Sequence, residues 1–180
     1  EENDQSQIET LSKEFPVWMS DIYTIDDSID MIQSIGTITG TQEKAKKIIH
    51  DIEGRLKKIR EGDFTPKTFL YIIWNEPFMT IGHSNFINSM LQLIGLENCI
   101  IDPKSRYPEI TENDINSMNP DLLLLSSEPF PFKDEHRSNM SKQFPQLKIE
   151  LIDGEACSWY GSYMRFGLDY LLDFRSQINN

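Results

Sequence analysis

Apolar positions recur along this chain at two periods, and the switch between them predicts its elements. From Ile25 the residues Ile25, Ile29, Ile32 and Ile35 return every three or four positions, the spacing that lines one face of an α-helix. Asp26 and Asp27 fall in its first turn, where the helix dipole favours anions, and Gly36 and Gly40 are expected to end it. A longer helix is expected from Thr41 to about Arg60, with Ala45, Ile48, Ile49, Ile52, Leu56 and Ile59 on one face and a solvated row of lysines opposite. At its 1.5 Å rise per residue that helix is roughly 30 Å long, about the width of a small domain, so it can bridge two lobes. Ahead of these, Ile8 and Leu11 mark a surface helix within Glu1–Ser12, and Phe15–Met19 reads as a short buried strand entered through Pro16.

Past the loop Glu61–Lys67 the periods alternate regularly. Strands are expected at Thr68–Trp74, Cys99–Ile101, Asp121–Ser126 and Leu147–Ile152. Helices are expected at Phe86–Ile94, Glu112–Met118, Asp134–Gln143 and Gly161–Ile178. Strand and helix in regular turn predict an α/β fold with a mainly parallel sheet flanked by helices.

Composition narrows the function classes. With 180 residues, 38% hydrophobic and 26% charged, the chain suits one domain or two small lobes sharing a connector. Its 29 acidic and 17 basic residues give a net charge of −12, which repels phosphate backbones and argues against a nucleic-acid partner. No apolar run approaches the ~20 residues of a membrane-spanning helix. The opening residues carry no basic and apolar leader, which leaves export open. Cys99 and Cys157 have neither metal-ligand spacing nor a CxxC relation, so two ordinary buried thiols are expected.

In open α/β sheets ligands sit beyond the carboxyl ends of the strands. Three segments leave the predicted strands there: Trp74–His83, Ser126–Phe132 and Asp153–Gly161. All are aromatic and rich in proline or glycine, which holds large flat side chains on stiff loops and suits capture of a broad, partly apolar ligand. Any single one of Trp74, Phe130 and Trp159 could equally fill a seam against a neighbouring lobe. Enzyme readings are weaker. Ser126 and Ser158 lack a nucleophile elbow, and His50, His83 and His136 lie on separate elements. Glu76 and Glu128, each before a proline, could pair as acid and base in a small α/β enzyme, although helix capping is the preferred role for both.

These segments carry a family likeness. Tyr71–Gly82, Leu91–Asn98, Asn119–Phe132 and Ser158–Ser162, in that order, resemble the helical-backbone solute-binding proteins of ABC importers that carry cobalamin, haem or iron siderophores. Phe15–Trp18 and Ile32–Gly40 resemble the stretch before that family's connecting helix. The resemblance implies two α/β lobes joined by one long helix: 1–40 as a remnant of the amino-terminal lobe, 41–62 as the connector and 66–180 as a complete carboxyl-terminal lobe. It implies that the start of the amino-terminal lobe is missing. It further implies a monomer that works outside the cytoplasm, in a periplasm or as a membrane-anchored lipoprotein, and delivers its ligand to a membrane permease. By position, ligand contacts fall on Phe78, Tyr107, Ser158 and Trp159, to which the rim argument adds Trp74, Phe130 and Tyr160. The carboxyl-lobe permease contact falls on Asn113, where Glu112 or Asp114 would supply the missing charge. The cargo implied is a corrinoid such as cobalamin, or a ferric siderophore or haem, with no resident cofactor. The rim loops hold no arginine, which favours a neutral ligand over an anionic chelate.

Overall fold

The structure is a computed structural model that describes residues 3–101 and 105–178. Glu1, Glu2, Asn179 and Asn180, which bound the expected first and last units, lie outside the described residues. In chain order the elements are α1 (Gln5–Leu11), α2 (Ile25–Ile38), α3 (Gln42–Arg60), β1 (Lys67–Trp74), β2 (Phe78–Thr80), α4 (Phe86–Gln92), β3 (Leu96–Asn98), β4 (Glu109–Ile110), α5 (Glu112–Met118), β5 (Leu122–Ser126), α6 (Asp134–Gln143), β6 (Lys148–Ile152), α7 (Gly154–Ser158), a 3-10 turn at Gly161–Tyr163, and α8 (Met164–Ile178). None of these helices is long and apolar enough to cross a membrane.

The sheet runs β4-β2-β1-β5-β6, with β3 also on β1. Pairings of β1 with β3 and β5, and of β5 with β6, are parallel; β2 runs antiparallel to both β1 and β4. The centre is buried on both faces, as parallel sheets require. Phe69, Tyr71, Ile73, Leu122 and Leu124 face a core shared with α2, α3, α4 and α8. Leu70, Ile72, Leu123 and Leu125 face a second core closed by Ile115 of α5, by Met140 of α6 and by Phe144 just after it. The four leucines of β5 are fully buried, each contributing about 1.5–3 kcal/mol relative to an exposed position.

On the first face α3 buries Ala45, Ile52, Leu56 and Ile59, with Ile25 and Ile32 of α2 in the same continuous core. Gly36 does not end α2. It lies inside the helix, where an added Cβ would come within 2.5 Å of the Ala45 Cβ, so it sets how closely α2 and α3 approach. The capping box between Thr24 and Asp27 fixes the start of α2, whereas Thr41 makes no side-chain cap for α3. One hydrogen bond ties α2 to the far end of the chain: the Gly161 N–H donates to the fully buried Ser28 Oγ at 2.9 Å.

Several expectations need correction. Phe15–Met19 is not a strand, and Phe15 (59% exposed) and Met19 (61%) are open to solvent. A strand needs a neighbour for its N–H and C=O groups, and no described strand lies beside this segment. The strand expected at Cys99–Ile101 lies earlier, at Leu96–Asn98, because its ladder on β1 starts directly after Gly95, whose carbonyl accepts from Lys67 N. Strands β2 and β4 and the one-turn α7 were not expected. Cys157 is buried as predicted, but Cys99 is only half-buried, and both are free thiols.

Candidate functional site

Because β1, β5 and β6 are parallel, their carboxyl ends open on one rim. A cleft of about 620 Å³ lies there. Trp74, Tyr107 and Trp159 form its aromatic edge, Ile73, Met79 and Ile87 its apolar walls, and Tyr71, Ser126, Glu128, Pro129, Gly154 and Ser158 the remainder.

Both cleft tryptophans are held from behind. Trp74, the last residue of β1, is 41% exposed and donates its indole N–H to the Glu76 carbonyl at 3.2 Å. Phe130 stands edge-on against it at 5.7 Å and is itself packed on Phe132 and His136. Phe130 reaches that place because its N–H donates to the Ile73 carbonyl across the ends of β1 and β5. Trp159, 48% exposed, rests against the Tyr163 ring at 5.1 Å.

Glu128 joins the β5 and β6 exits. Its Oε1 accepts from Ser158 Oγ at 2.8 Å and from Trp159 Nε1 at 3.1 Å. Its own backbone is pinned by Ser126, whose Oγ donates to the Glu128 carbonyl at 2.6 Å and shares a hydrogen bond with the Tyr71 hydroxyl. The loop passes so close to α7 that a Cβ on Gly154 would lie 2.5 Å from Glu128 Cγ and 2.6 Å from Ser126 Oγ. Asp153 caps α7 by accepting from Ala156 N. The expected capping role of Glu128 is therefore wrong: it starts no helix and braces the rim instead.

Of the seven ligand contacts expected, the structure gathers Trp74, Tyr107, Ser158 and Trp159 in the cleft. Phe130 stands behind Trp74, and Tyr160 packs on Phe86 at 5.7 Å outside the cleft lining. Phe78 lies on the opposite face of the sheet, paired with Ile110 and lining a separate pocket of about 430 Å³ with Glu76, Glu112 and His136. Its neighbour Met79 enters the cleft instead, since adjacent strand residues point to opposite faces. Met79, Tyr71 and Glu128 were missed as lining residues; the alternation through Phe78-Met79 was the signal available for the first. His83 lines a third, polar pocket with Tyr23, Asn88 and Arg106.

Burial pushes the Cys157 thiol well up, and burial does the same to the Tyr71 hydroxyl, so neither is an activated nucleophile. No histidine is among the described lining residues.

The profile of the periplasmic binding protein family matches residues 1–146. The chain belongs to this family. Among its relatives, the vitamin B12-binding protein of Vibrio cholerae serotype O1 is 22% identical over 114 residues, 62% of this chain and 41% of that protein. The vitamin B12-binding protein of Vibrio parahaemolyticus is 22% identical over 153 residues, 83% of this chain and 52% of that one. The chain thus spans about half the length, or less, of the relatives it matches. The crystal structure of the periplasmic vitamin B12 binding protein BtuF of Vibrio cholerae superposes with a TM-score of 0.83 at 16% identity, covering 99% of this chain and 72% of that one. The periplasmic haem binding protein HutB of Vibrio cholerae gives 0.78 at 17% identity, covering 99% and 74%. The fold is therefore the two-lobe α/β fold of this family, as the resemblance implied.

Glu112 and Asp114, expected from the resemblance at a permease contact, lie in the first turn of α5. Thr111 and Asp114 form a reciprocal capping box: the Asp114 carboxylate accepts from Thr111 Oγ1 at 2.7 Å and from Thr111 N at 2.8 Å. Those bonds hold the Asp114 carboxyl below the usual aspartate range. Glu112, two residues earlier, is exposed and makes no cap.

Proposed function

We propose that the chain captures a corrinoid, or a comparably large metal chelate, in the aromatic cleft and hands it to the permease of an ABC importer outside the cytoplasm. The observation that carries this reading is the cleft itself. Trp74, Tyr107 and Trp159 offer three ring systems around about 620 Å³ with apolar walls, which suits van der Waals capture of a broad flat ligand. Residues 1–40 then belong to an amino-terminal lobe, 41–62 to the connector and 66–180 to the carboxyl-terminal lobe. Ser158 contributes a polar contact, Phe130 stiffens Trp74, and Tyr160 extends the rim. At α5 Glu112 is the freer of the two carboxylates and would meet a basic pocket of the permease in a charge-assisted contact, with Asp114 keeping the helix start in place. The relatives' names support cobalamin first; a haem or ferric siderophore reading is favoured by the likeness to HutB and to a possible iron-binding protein of Staphylococcus epidermidis.

The test is a titration of the protein with cyanocobalamin, haem and a ferric hydroxamate siderophore, followed by tryptophan fluorescence. The cognate class quenches emission, and the quench shrinks in both Trp74→Phe and Trp159→Phe. No change in fluorescence or melting temperature with any of the three overturns the reading.

A further inference from the structure

We infer that Glu128 is the specificity-determining residue of the cleft, fixing the Trp159 ring and favouring a ligand whose edge carries hydrogen-bond donors or positive charge over one edged with carboxylates. This rests on the binding reading above and goes beyond it by naming the chemistry of the ligand's edge.

The geometry separates the two duties. Oε1 takes both the Ser158 hydroxyl and the Trp159 indole N–H, so one carboxylate oxygen orients the aromatic edge. Oε2 has no hydrogen-bond donor among the described residues and remains available to a donor on the ligand. A corrin ring is fringed with carboxamides, whose N–H groups suit that oxygen; a haem is fringed with propionates, which it repels.

The surroundings reinforce the sign. Asp153 and Glu155 stand at the start of α7 beside Glu128, and the Tyr163 hydroxyl is pushed up first by burial and then by Glu155, Asp153 and Glu128. No lysine, arginine or histidine is among the described lining residues. The nearer arginines are engaged elsewhere. Arg106 lies over the Tyr23 ring and donates to the Ile22 carbonyl and to Asp21. Arg165 pairs with Asp51 and donates to the Ser162 carbonyl.

Glu128→Gln keeps an oxygen acceptor for Ser158 and Trp159 while removing the charge; Glu128→Ala removes both. Binding of cyanocobalamin (neutral), aquocobalamin (cationic at mildly acidic pH) and haem (anionic) is measured on wild type and both variants. In Glu128→Gln the haem to cyanocobalamin affinity ratio is expected to rise about tenfold, the size of one charge-assisted contact, while aquocobalamin, whose charge sits on cobalt and whose edge is the same as that of cyanocobalamin, keeps pace with cyanocobalamin. The Trp159 indole N–H proton is followed by NMR in ligand-free protein: it stays bonded in Glu128→Gln and moves upfield in Glu128→Ala. A protein that binds corrinoid but keeps its haem to cyanocobalamin ratio in Glu128→Gln overturns the charge preference, and an indole signal indifferent to Glu128→Ala overturns the positioning role. Wild-type protein that binds none of the three overturns the binding reading itself, and the indole signal still decides whether Glu128 holds Trp159.

Discussion

Two loops in this protein carry the same Glu-Pro pair at the same kind of place, the carboxyl end of one of two adjacent parallel strands, and both peptide bonds are cis. Their carboxylates have opposite fates. After β1 the chain doubles back within three residues into β2, and Glu76 is left exposed beside the second pocket. After β5 it does not double back. Phe130 bonds to Ile73, Phe132 bonds to Ser126, and Glu128 is drawn over Gly154 onto Ser158 and Trp159. The dipeptide is identical, so the difference comes from what lies beside each loop: past the end of β6, α7 opens on Gly154, which leaves room for a side chain to cross, while the far side of β1 is occupied by its own hairpin.

That contrast can be broken most forcefully at Gly154. Gly154→Ala drives a Cβ into Glu128 and Ser126 and is expected to cost about 3 kcal/mol, the upper part of the range for overpacking, read as a lowered midpoint in urea. Phe130→Ala comes next. It removes the ring behind Trp74 at a half-buried site and should cost about 2 kcal/mol, with Trp74 emission shifting to the red. Glu128→Ala deletes two hydrogen bonds and should cost about 1 kcal/mol, whereas Glu76→Ala should change the denaturation midpoint by less than about 0.5 kcal/mol. Equal effects from the two glutamates would erase the distinction drawn between the loops. The smallest expected effect concerns pH and lies on the Glu76 side of the sheet. Asp114 has a native pKa below its ordinary 3.8 because of Thr111. Its contribution is full above that ordinary value and fades as pH falls through the lower native one. Thr111→Ala should flatten the acid limb of the melting-temperature profile.

Where the pattern was long and uninterrupted, it was legible. The leucine run of β5 and the ten residues of α6 stand where expected, because an unbroken apolar strand or a strongly polar helix admits few alternatives. Strands β2 and β4, three and two residues long, have no period to detect. Phe15–Met19 has strand composition but no partner among the described residues, and composition alone cannot supply one. The rim was found because three parallel strands must end on the same side. Its internal wiring was not, since nothing in Glu128-Pro129 announces a partner 30 residues later at Ser158. Phe78 was placed on the wrong face because the bulge between β1 and β2, at Ile72 and Trp74, decides which of Phe78 and Met79 turns inward.

The bond between Gly161 and Ser28 bridges 133 residues of chain and is sealed from water. It sits immediately after the Trp159-Tyr160 turn, so that turn cannot swing outward as a hinged flap without surrendering a bond worth roughly 0.5–1.5 kcal/mol. The aromatic edge is consequently a fixed jaw rather than a gate, and the Gly161 amide is where slow hydrogen exchange would record any loosening of it.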